Sequence, residues 1–455
     1  MAVVIAGERS GVGKTTVTLA LLAALSRRYP KQVQSFKVGP DYIDPMFHQF
    51  VTGRACRNLD PVLTSEAYVA ECFQQHCQTA DYALVEGVMG LFDGVTGKDD
   101  WASTAHVARL LGLPIVLVVN CSSTSRSIAA IVHGYTTFDP RLTFAGVVLN
   151  RVGSDRHLEL LHDALAPLNL PILGVLRRQD QITIPDRHLG LIPTAELPQL
   201  NTVVDHLAHL GETCFHWETL LPLLSSCFPP PLPLFPSSPL PLTPPRLAIA
   251  RDRAFSFYYA DNLDLLRSTG FELVEWSPLD DRSLPENIQG LYLGGGFPEV
   301  FAAALSDNQT VRNAVKAAIA AGMPTYAECG GLMYLCDRIV DFEAKAYPMV
   351  GILPTTAQMG KRLTLGYRQA IAQRSTPLVT AGECLWGHEF HRSSLEAQPD
   401  QPLFAMQNYE GTLHQTEGWQ RFRVHASYLH LHFGGNPKLV QRWLQQCQQY
   451  GATPF

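Results

Sequence analysis

The sequence predicts an α/β fold in which two parallel-sheet domains are joined by a proline-rich linker. Its 455 residues are too many for one hydrophobic core, so two domains are expected. Short apolar runs alternate with helical patterns on both sides of the linker, as in sheets that helices cover on both faces. The predicted boundaries are residues 1–215 for the first domain, 216–245 for the linker and 246–455 for the second domain.

The linker is predicted from residues 228–245, where proline alternates with small or apolar residues. Proline fixes φ and removes a backbone donor, so this stretch can form neither a helix nor a central strand. Apolar runs predict strands elsewhere. They lie at 3–6, 33–38, 82–86, 115–119 and 146–150 in the first domain and at 247–250, 271–276, 290–293 and 324–327 in the second. Helical patterns at 15–28 and 101–111 separate strands of the first domain.

Composition and charge exclude several classes of protein. The formal net charge of −6 gives no support for nucleic-acid binding. No run of about eighteen apolar residues indicates a membrane span, and the N-terminus fits a buried strand better than a secretory signal. The ten cysteines form no C-x-x-C pair, which favours reduced thiols in a cytoplasmic protein over disulfides or structural zinc.

Residues 7–16, GERSGVGKTT, follow the first predicted strand and open a helix, as a phosphate-binding loop requires. Glycines let backbone N–H groups face an anion, and the helix N-terminus adds its positive end. Lys14 can reach the terminal phosphates of ATP, and the Thr15 hydroxyl can ligate Mg²⁺. The predicted ATP-binding residues of this loop are Gly11, Gly13, Lys14, Thr15 and Thr16. Glu8 stands where glycine is usual, and a glycine-rich turn without a ligand is the alternative.

Two loops after neighbouring strands carry acidic side chains. Residues 39–45, GPDYIDP, contain Asp41 and Asp44, and residues 86–94, EGVMGLFDG, contain Glu86 and Asp93. Ligands of open α/β sheets bind at the carboxyl ends of the strands, and Mg²⁺ takes one or two carboxylates. These acids are therefore candidates for a metal site beside the phosphate loop. Carboxylates that cap a helix or a turn are the alternative.

These loops, together with residues 187–191, RHLGL, resemble the cobyrinic acid a,c-diamide synthase family. The motifs are long, their order matches, and the resemblance covers nearly the whole chain except the linker. Cobyric acid synthase and dethiobiotin synthetase are related enzymes. The resemblance therefore implies that the first domain is a dethiobiotin-synthetase-like P-loop domain that binds Mg·ATP and a tetrapyrrole.

The resemblance also implies roles for individual side chains of the first domain. The implied Mg²⁺ ligands are Thr15, Glu86 and Asp41, and the implied positioning residues are Asp44, Asp93 and Arg126. Asn150 matches the position that reads adenine, for which an amide can both donate and accept. An asparagine that ends a strand and caps a turn, and a solvated arginine at a helix start, are the alternatives for Asn150 and Arg126.

A second set of motifs lies in the second domain. Residues 324–332, PTYAECGGL, predict a strand, a sharp turn and a helix that hold the Cys329 thiol exposed at the sheet edge. The helix N-terminus is expected to favour the thiolate. Residues 293–299, LGGGFPE, end an earlier strand, and we predict an oxyanion hole at Gly295 and Gly330. A buried structural cysteine and a ligand-free glycine loop are the alternatives.

These two motifs resemble class I glutamine amidotransferase α/β domains, and by that resemblance His430 is the base for Cys329. Many amidotransferases carry a glutamate two residues after this histidine, where the present chain has His432. His432, another acid or a backbone carbonyl could orient His430. A metal site formed by His425, His430 and His432 is the competing interpretation.

The resemblance implies that glutamine hydrolysis at Cys329 supplies ammonia to an ATP-dependent ligase site, where a carboxylate becomes an acyl phosphate and then an amide. The implied reaction amidates acetates a and c of cobyrinic acid in cobalamin biosynthesis, with Mg²⁺ as cofactor. Hydrogenobyrinic acid, a nickel sirohydrochlorin and the carboxylates used by cobyric acid synthase stay open as substrates. A P-loop ATPase switch and a pseudo-enzyme scaffold are the alternatives from other classes. No nucleic-acid or membrane partner is expected, and whether the chain forms a homodimer stays open.

Overall fold

The computed structural model describes residues 2–178, 186–187, 190–197, 199–225 and 243–452. It separates into two compact units, residues 1–61 with 65–234 and residues 62–64 with 235–455. Each unit contains a mainly parallel sheet with helices, which confirms the predicted α/β class.

The first unit is built around a parallel sheet. Its strands are β1 (Val3–Gly7), β2 (Val33–Val38), β3 (Arg57–Leu59), β4 (Tyr82–Glu86), β5 (Ile115–Asn120), β6 (Phe144–Val152) and β7 (Ile172–Arg177). They lie in the order β3-β2-β4-β1-β5-β6-β7. A short antiparallel pair, β8 (Asp186–Arg187) and β9 (Gly190–Leu191), follows. Every residue of β1 and β2 is buried, as expected of central strands between two layers of helices.

The helices of the first unit are α1 (Lys14–Arg28), α2 (Ile43–Thr52), α3 (Glu66–Cys77), α4 (Thr104–Leu111), α5 (Ser127–Phe138), α6 (Asp155–Leu165), α7 (Leu200–Thr213) and α8 (Trp217–Leu224). Serine side chains cap three of them by accepting a backbone N–H from the first turn: Ser65 for α3, Ser103 for α4 and Ser154 for α6. The Ser103 cap explains why α4 begins three residues later than the pattern at 101–111 predicts.

Other boundaries also differ from those predicted. Strands β3 and β7 were not predicted from apolar runs, because β3 has only three residues and only its last is apolar, while β7 is interrupted by Gly174. Helix α8 lies within the segment assigned to the linker and belongs to the first unit. Residues 226–242 of that linker lie outside the described part of the chain, as do the side chains of the 187–191 motif.

In its described residues, the second unit contains two six-stranded sheets and a two-stranded antiparallel sheet. The strands are β10 (Arg246–Ala250), β11 (Phe255–Phe257), β12 (Glu272–Trp276), β13 (Gly290–Leu293), β14 (Gly295–Gly296), β15 (Thr325–Glu328), β16 (Cys336–Val340), β17 (Ala346–Pro348), β18 (Leu353–Ala372), β19 (Cys384–Leu395), β20 (Phe404–Asn408), β21 (His414–Glu417), β22 (Trp419–Arg421) and β23 (Val424–Ser427). One six-stranded sheet runs β12-β10-β13-β15-β23-β22, the other runs β17-β16-β18-β20-β21 with β19 paired to β18, and β11 pairs with β14 in the two-stranded sheet.

The helices of the second unit are α9 (Ala260–Thr269), α10 (Ala302–Asp307), α11 (Gln309–Ala320), α12 (Gly330–Leu335) and α13 (Lys438–Gly451). The first sheet is parallel from β12 to β23, so the carboxyl ends of β13 and β15 meet at one edge. Among the described residues, no helix is both long enough and apolar enough to cross a membrane.

Candidate functional sites

The phosphate loop connects β1 to α1 in the first unit. Gly13 adopts φ 100° at the N-terminus of α1, and a Cβ there would lie 2.2 Å from the Asn150 side-chain nitrogen, so only glycine fits. The Lys14 ammonium donates hydrogen bonds to the carbonyl oxygens of Arg9 and Met89. Burial and the neighbouring Lys37 lower the pKa of Lys14 to about 8.

Acidic side chains from two loops meet the hydroxyl of Thr15. The Thr15 Oγ1 donates to Glu86 Oε1 at 2.6 Å and lies 3.3 Å from Asp44 Oδ2. The other oxygen of this carboxylate, Glu86 Oε2, is 2.7 Å from His48 Nε2. Glu86 and His48 are fully buried. The predicted convergence of the phosphate loop and the two acidic loops is therefore present, with hard oxygen donors of the type that Mg²⁺ prefers.

A lysine that the sequence analysis missed lies at the centre of this cluster. Lys37 Nζ is 2.5 Å from Asp44 Oδ2, 2.9 Å from Glu86 Oε1 and 3.8 Å from Asp41 Oδ2. Burial opposes its charge, but the two nearest carboxylates outweigh burial and raise the Lys37 pKa above its usual value. A lysine between a phenylalanine and a valine in a predicted buried strand was the available signal, because buried lysines require a partner.

The remaining carboxylates play partly local roles. Asp41 Oδ1 accepts from the backbone N–H groups of Ile43 and Asp44 and so caps the start of α2. Asp93 Oδ2 accepts the Gly90 N–H at 2.8 Å within its own loop. Burial and the neighbouring Asp41 raise the pKa of Asp44 to about 7, although Lys37 acts in the opposite direction. Asp41 and Asp93 each use one carboxylate oxygen in these backbone contacts, and each has a second oxygen. The second oxygen of Asp41 is the one near Lys37.

Asn150 and Arg126 lie in different surroundings. The Asn150 Nδ2 donates to the Val12 carbonyl at 2.8 Å, so the amide holds the phosphate loop itself. Its Oδ1 accepts the Arg151 backbone N–H at 2.9 Å. Arg126 is exposed at the start of α5, where its position also fits the alternative of a solvated helix-start residue.

In the second unit, Cys329 forms a sharp turn between β15 and α12. Its φ of 46° lies in the region that side-chain-bearing residues rarely adopt, as expected of a nucleophile elbow. A Cβ at Gly331 would lie 2.1 Å from the Leu293 carbonyl oxygen, and the Cβ position of Gly330 is 3.1 Å from the Gly296 nitrogen. The elbow therefore packs directly on the glycine run that follows β13.

The state of the Cys329 thiol differs from the expectation. Cys329 is buried rather than exposed. Burial raises its pKa well above the usual range, and the negative charges of Glu299 and Glu328 raise it further, while the Gly330 N–H acts in the opposite direction. Burial thus opposes the thiolate that the N-terminus of the six-residue helix α12 was expected to favour, and a base is needed to remove the thiol proton.

The predicted base, His430, lies in the loop after β23 and is fully buried. Its backbone N–H donates to the His388 carbonyl at 2.9 Å, and the His388 N–H donates back at 3.0 Å. A Cβ at Gly295 would lie 2.5 Å from His430 Cε1, so the base packs against one of the predicted oxyanion-hole residues. The structure thus brings His430, Gly295 and the Cys329 elbow to one edge of the sheet.

The three neighbouring histidines do not converge on one point. His432 Nε2 lies 3.6 Å from Asp261 Oδ2, and its Nδ1 accepts the Gly434 N–H. His425 Nδ1 is 3.0 Å from the Thr376 hydroxyl. Because His425, His430 and His432 have different partners, the structure does not support the alternative of a shared metal site.

Comparison with known families agrees with one candidate site in each of the two units. Residues 3–192 match the CobQ/CobB/MinD/ParA nucleotide binding domain, and residues 246–438 match the CobB/CobQ-like glutamine amidotransferase domain. The chain is therefore a glutamine-dependent amidating ligase, with a nucleotide-binding domain and an amidotransferase domain on one polypeptide.

The relatives identify the family. The chain is 68% identical to cobyrinate a,c-diamide synthase of Synechococcus sp., with 99% of each chain covered. It is 55% identical to the synthase of the same name from Synechocystis sp., covering 98% of this chain and 93% of the relative. It is 43% identical to hydrogenobyrinate a,c-diamide synthase of Streptomyces coelicolor, covering 98% of this chain and 97% of that relative. The chain belongs to the cobyrinate a,c-diamide synthase family, which confirms the resemblance seen in its motifs.

Proposed function

We propose that this chain converts the a and c acetate side chains of cobyrinic acid to amides, with glutamine as nitrogen donor and ATP as activator. The observation that carries the proposal is the cluster of Thr15, Asp44, Glu86 and Lys37 beside the phosphate loop. A chain that only released ammonia from glutamine would have no need of it. The full-length similarity to cobyrinate a,c-diamide synthases supports the choice of substrate.

In the amidotransferase unit, the first step is attack of Cys329 on the side-chain amide of glutamine. His430 accepts the thiol proton as the Cys329–carbon bond forms, and backbone N–H groups at Gly295 and Gly330 stabilise the oxyanion. His430 then gives that proton to the departing nitrogen, which leaves as ammonia. Water hydrolyses the thioester and releases glutamate.

In the nucleotide-binding unit, a substrate carboxylate oxygen attacks the γ-phosphorus of ATP, and ADP leaves. Ammonia attacks the resulting acyl phosphate, and phosphate leaves as the amide forms. Lys14 stabilises the charge of the transferred group. Mg²⁺, held by Thr15 and Glu86 with Asp41 or Asp44, would neutralise phosphate charge when bound. We further propose that Asn150 reads adenine and that Asp93 and Arg126 position the substrate.

The test compares nitrogen donors in the wild type and in Cys329→Ala. With Mg·ATP, glutamine and cobyrinic acid, we expect two successive acid-to-amide mass changes from the wild type. Cys329→Ala should lose glutamine-dependent product and keep product formation from ammonium salts. Loss of both activities would contradict separate sites. Product from hydrogenobyrinic acid or nickel sirohydrochlorin but not from cobyrinic acid would contradict the proposed substrate.

A further inference from the structure

We propose that Glu328, the residue directly before the nucleophile, is the positioning residue that orients His430. The inference rests on the proposed hydrolysis of glutamine by Cys329. It assigns the acid that the sequence left open, because the position two residues after His430 holds His432, whose imidazole lies beside Asp261.

The Glu328 carboxylate lies beside one of the two ring nitrogens of His430. Its Oε2 lies 3.6 Å from His430 Nδ1, and both residues are buried, with exposed fractions of 2% and 0%. With Nδ1 facing Glu328, Nε2 is the nitrogen that can take the Cys329 proton. Strand β15 ends at the acid, the proposed nucleophile follows directly in the turn, and His430 lies beside the acid.

The carboxylate of Glu328 is itself held in place. The Tyr326 hydroxyl donates to Oε1, and the Tyr292 hydroxyl donates to Oε2 at 3.3 Å. Oε1 also accepts the backbone N–H of Leu431 at 3.3 Å, which joins the acid to the loop that carries His430. These contacts fix the rotamer of Glu328, as an orienting group requires.

In the described part of the chain, the Glu328 carboxylate has one basic side chain beside it, that of His430. No other basic side chain among these residues has a nitrogen within 4 Å of this carboxylate. A buried carboxylate is unfavourable without a cation, and the imidazolium that forms when His430 takes the thiol proton supplies one. Among the other acids near Cys329, Glu389 pairs with Arg368 at 2.6 Å. The 3.6 Å separation exceeds a hydrogen bond, and such contacts shorten as charge develops in the reacting complex.

The test is glutamine hydrolysis by Glu328→Gln, which keeps the shape and acceptor oxygen but removes the charge. We expect kcat to fall by about 10²–10⁴-fold with an unchanged KM for glutamine, because proton transfer is impaired and binding is not. Ammonium-dependent amidation should stay at the wild-type level. Glu417→Gln is the matched control, since Glu417 is also buried and accepts from Ser427 and Tyr428 beside the same loop. Its kcat is expected to stay near that of the wild type.

Two further measurements separate positioning from folding. Glu328→Asp keeps the charge and should recover part of the lost kcat. In histidine-labelled protein, the long-range ¹H–¹⁵N spectrum should show the Nδ1–H tautomer of His430 in the wild type and a change of tautomer in Glu328→Gln, with His430→Ala used for assignment. A kcat within twofold of wild type in Glu328→Gln, or equal losses in Glu328→Gln and Glu417→Gln, would overturn the inference. Glutamine hydrolysis that survives Cys329→Ala would instead overturn the proposed function.

Discussion

The two sites differ in the groups that lie closest to their central acids, Glu86 and Glu328. Beside the phosphate loop, Lys37 forms close ion pairs with Asp44 and Glu86, so opposite charges neutralise one another inside the first unit. In the second unit, burial raises the pKa of the Cys329 thiol above its usual range, and it lowers the pKa of His388, which pairs with the His430 backbone, to about 3. Glu328 faces a histidine there rather than a lysine or an arginine.

This difference matches what each site has to do. A site that exchanges a metal and a highly charged nucleotide needs fixed charges of both signs, because the ligands change its net charge by several units. A site that moves one proton between a thiol, an imidazole and a leaving group works better when its groups begin neutral and close together. The predictions below test this contrast in order of expected effect.

Lys37→Met should have the largest effect on stability. It removes the cation that lies between the buried Glu86 and the partly buried Asp44 and leaves Glu86 with His48 as its ion-pair partner, so the free energy of unfolding should fall by about 3–5 kcal/mol. Added Mg²⁺ should recover part of this loss, because the same oxygens are suitable metal ligands. Thermal unfolding with and without MgCl₂ measures both effects.

Lys14→Met is the control for that experiment. Its ammonium bonds loop carbonyl oxygens rather than buried carboxylates, so it should lower ATP-dependent turnover with a smaller loss of stability. If Lys37→Met were as stable as the wild type and showed no added response to Mg²⁺, the ion-pair description of the first site would be wrong.

Gly331→Ala should lower glutamine-dependent activity because it displaces the Cys329 thiol. The new Cβ would lie 2.1 Å from the Leu293 carbonyl oxygen, so α12 and the thiol must move. We expect a stability loss of about 1–3 kcal/mol and about a 100-fold drop in glutamine-dependent turnover. Ammonium-dependent turnover should persist. Gly134→Ala in α5, where nothing lies within 4 Å, is the control and should stabilise the chain by up to about 1 kcal/mol.

We expect a smaller, pH-dependent change in the free energy of unfolding from the buried histidines. Burial lowers the pKa of His388 and His425 to about 3, below the unfolded value of about 6.5. The folded state therefore binds fewer protons, and its stability is fully present above pH 6.5 and is lost as the pH falls toward 3. When the pH falls from 7 to 5.5, each histidine should lower the free energy of unfolding by about 1 kcal/mol. Urea unfolding at several pH values measures this slope, and His425→Gln should reduce it, whereas an unchanged slope would contradict the assignment.

The sequence predicted the parts of the fold that local patterns encode. The phosphate loop, the Cys329 elbow and strands such as β2 and β4 follow from glycine spacing and apolar runs, and the structure has them where they were expected. The sheet built on β18 and β19 was not predicted, because the 20-residue strand β18 alternates irregularly between buried and exposed positions. Its pairing with β19 also slips in register between Met359 and Thr364.

Charge partners were the least predictable part of both sites. Lys37 lies 49 residues before Glu86, and Glu328 lies 102 residues before His430, so only the folded sheet brings each pair together. The expectation of an exposed thiolate at Cys329 also depended on burial, which no local motif reports. Residue type and spacing thus located the sharp turn at Cys329 and the phosphate loop, but not the charged groups that lie beside them.

The proposed role of Asn150 in reading adenine would link base recognition to the phosphate loop. The Asn150 amide nitrogen holds the Val12 carbonyl and leaves no space for a side chain at Gly13. A nucleotide base that drew this amide away would release the loop at the point where it turns into α1. Selection among nucleoside triphosphates would then appear as a difference in the rate of phosphoryl transfer, and not only as a difference in affinity.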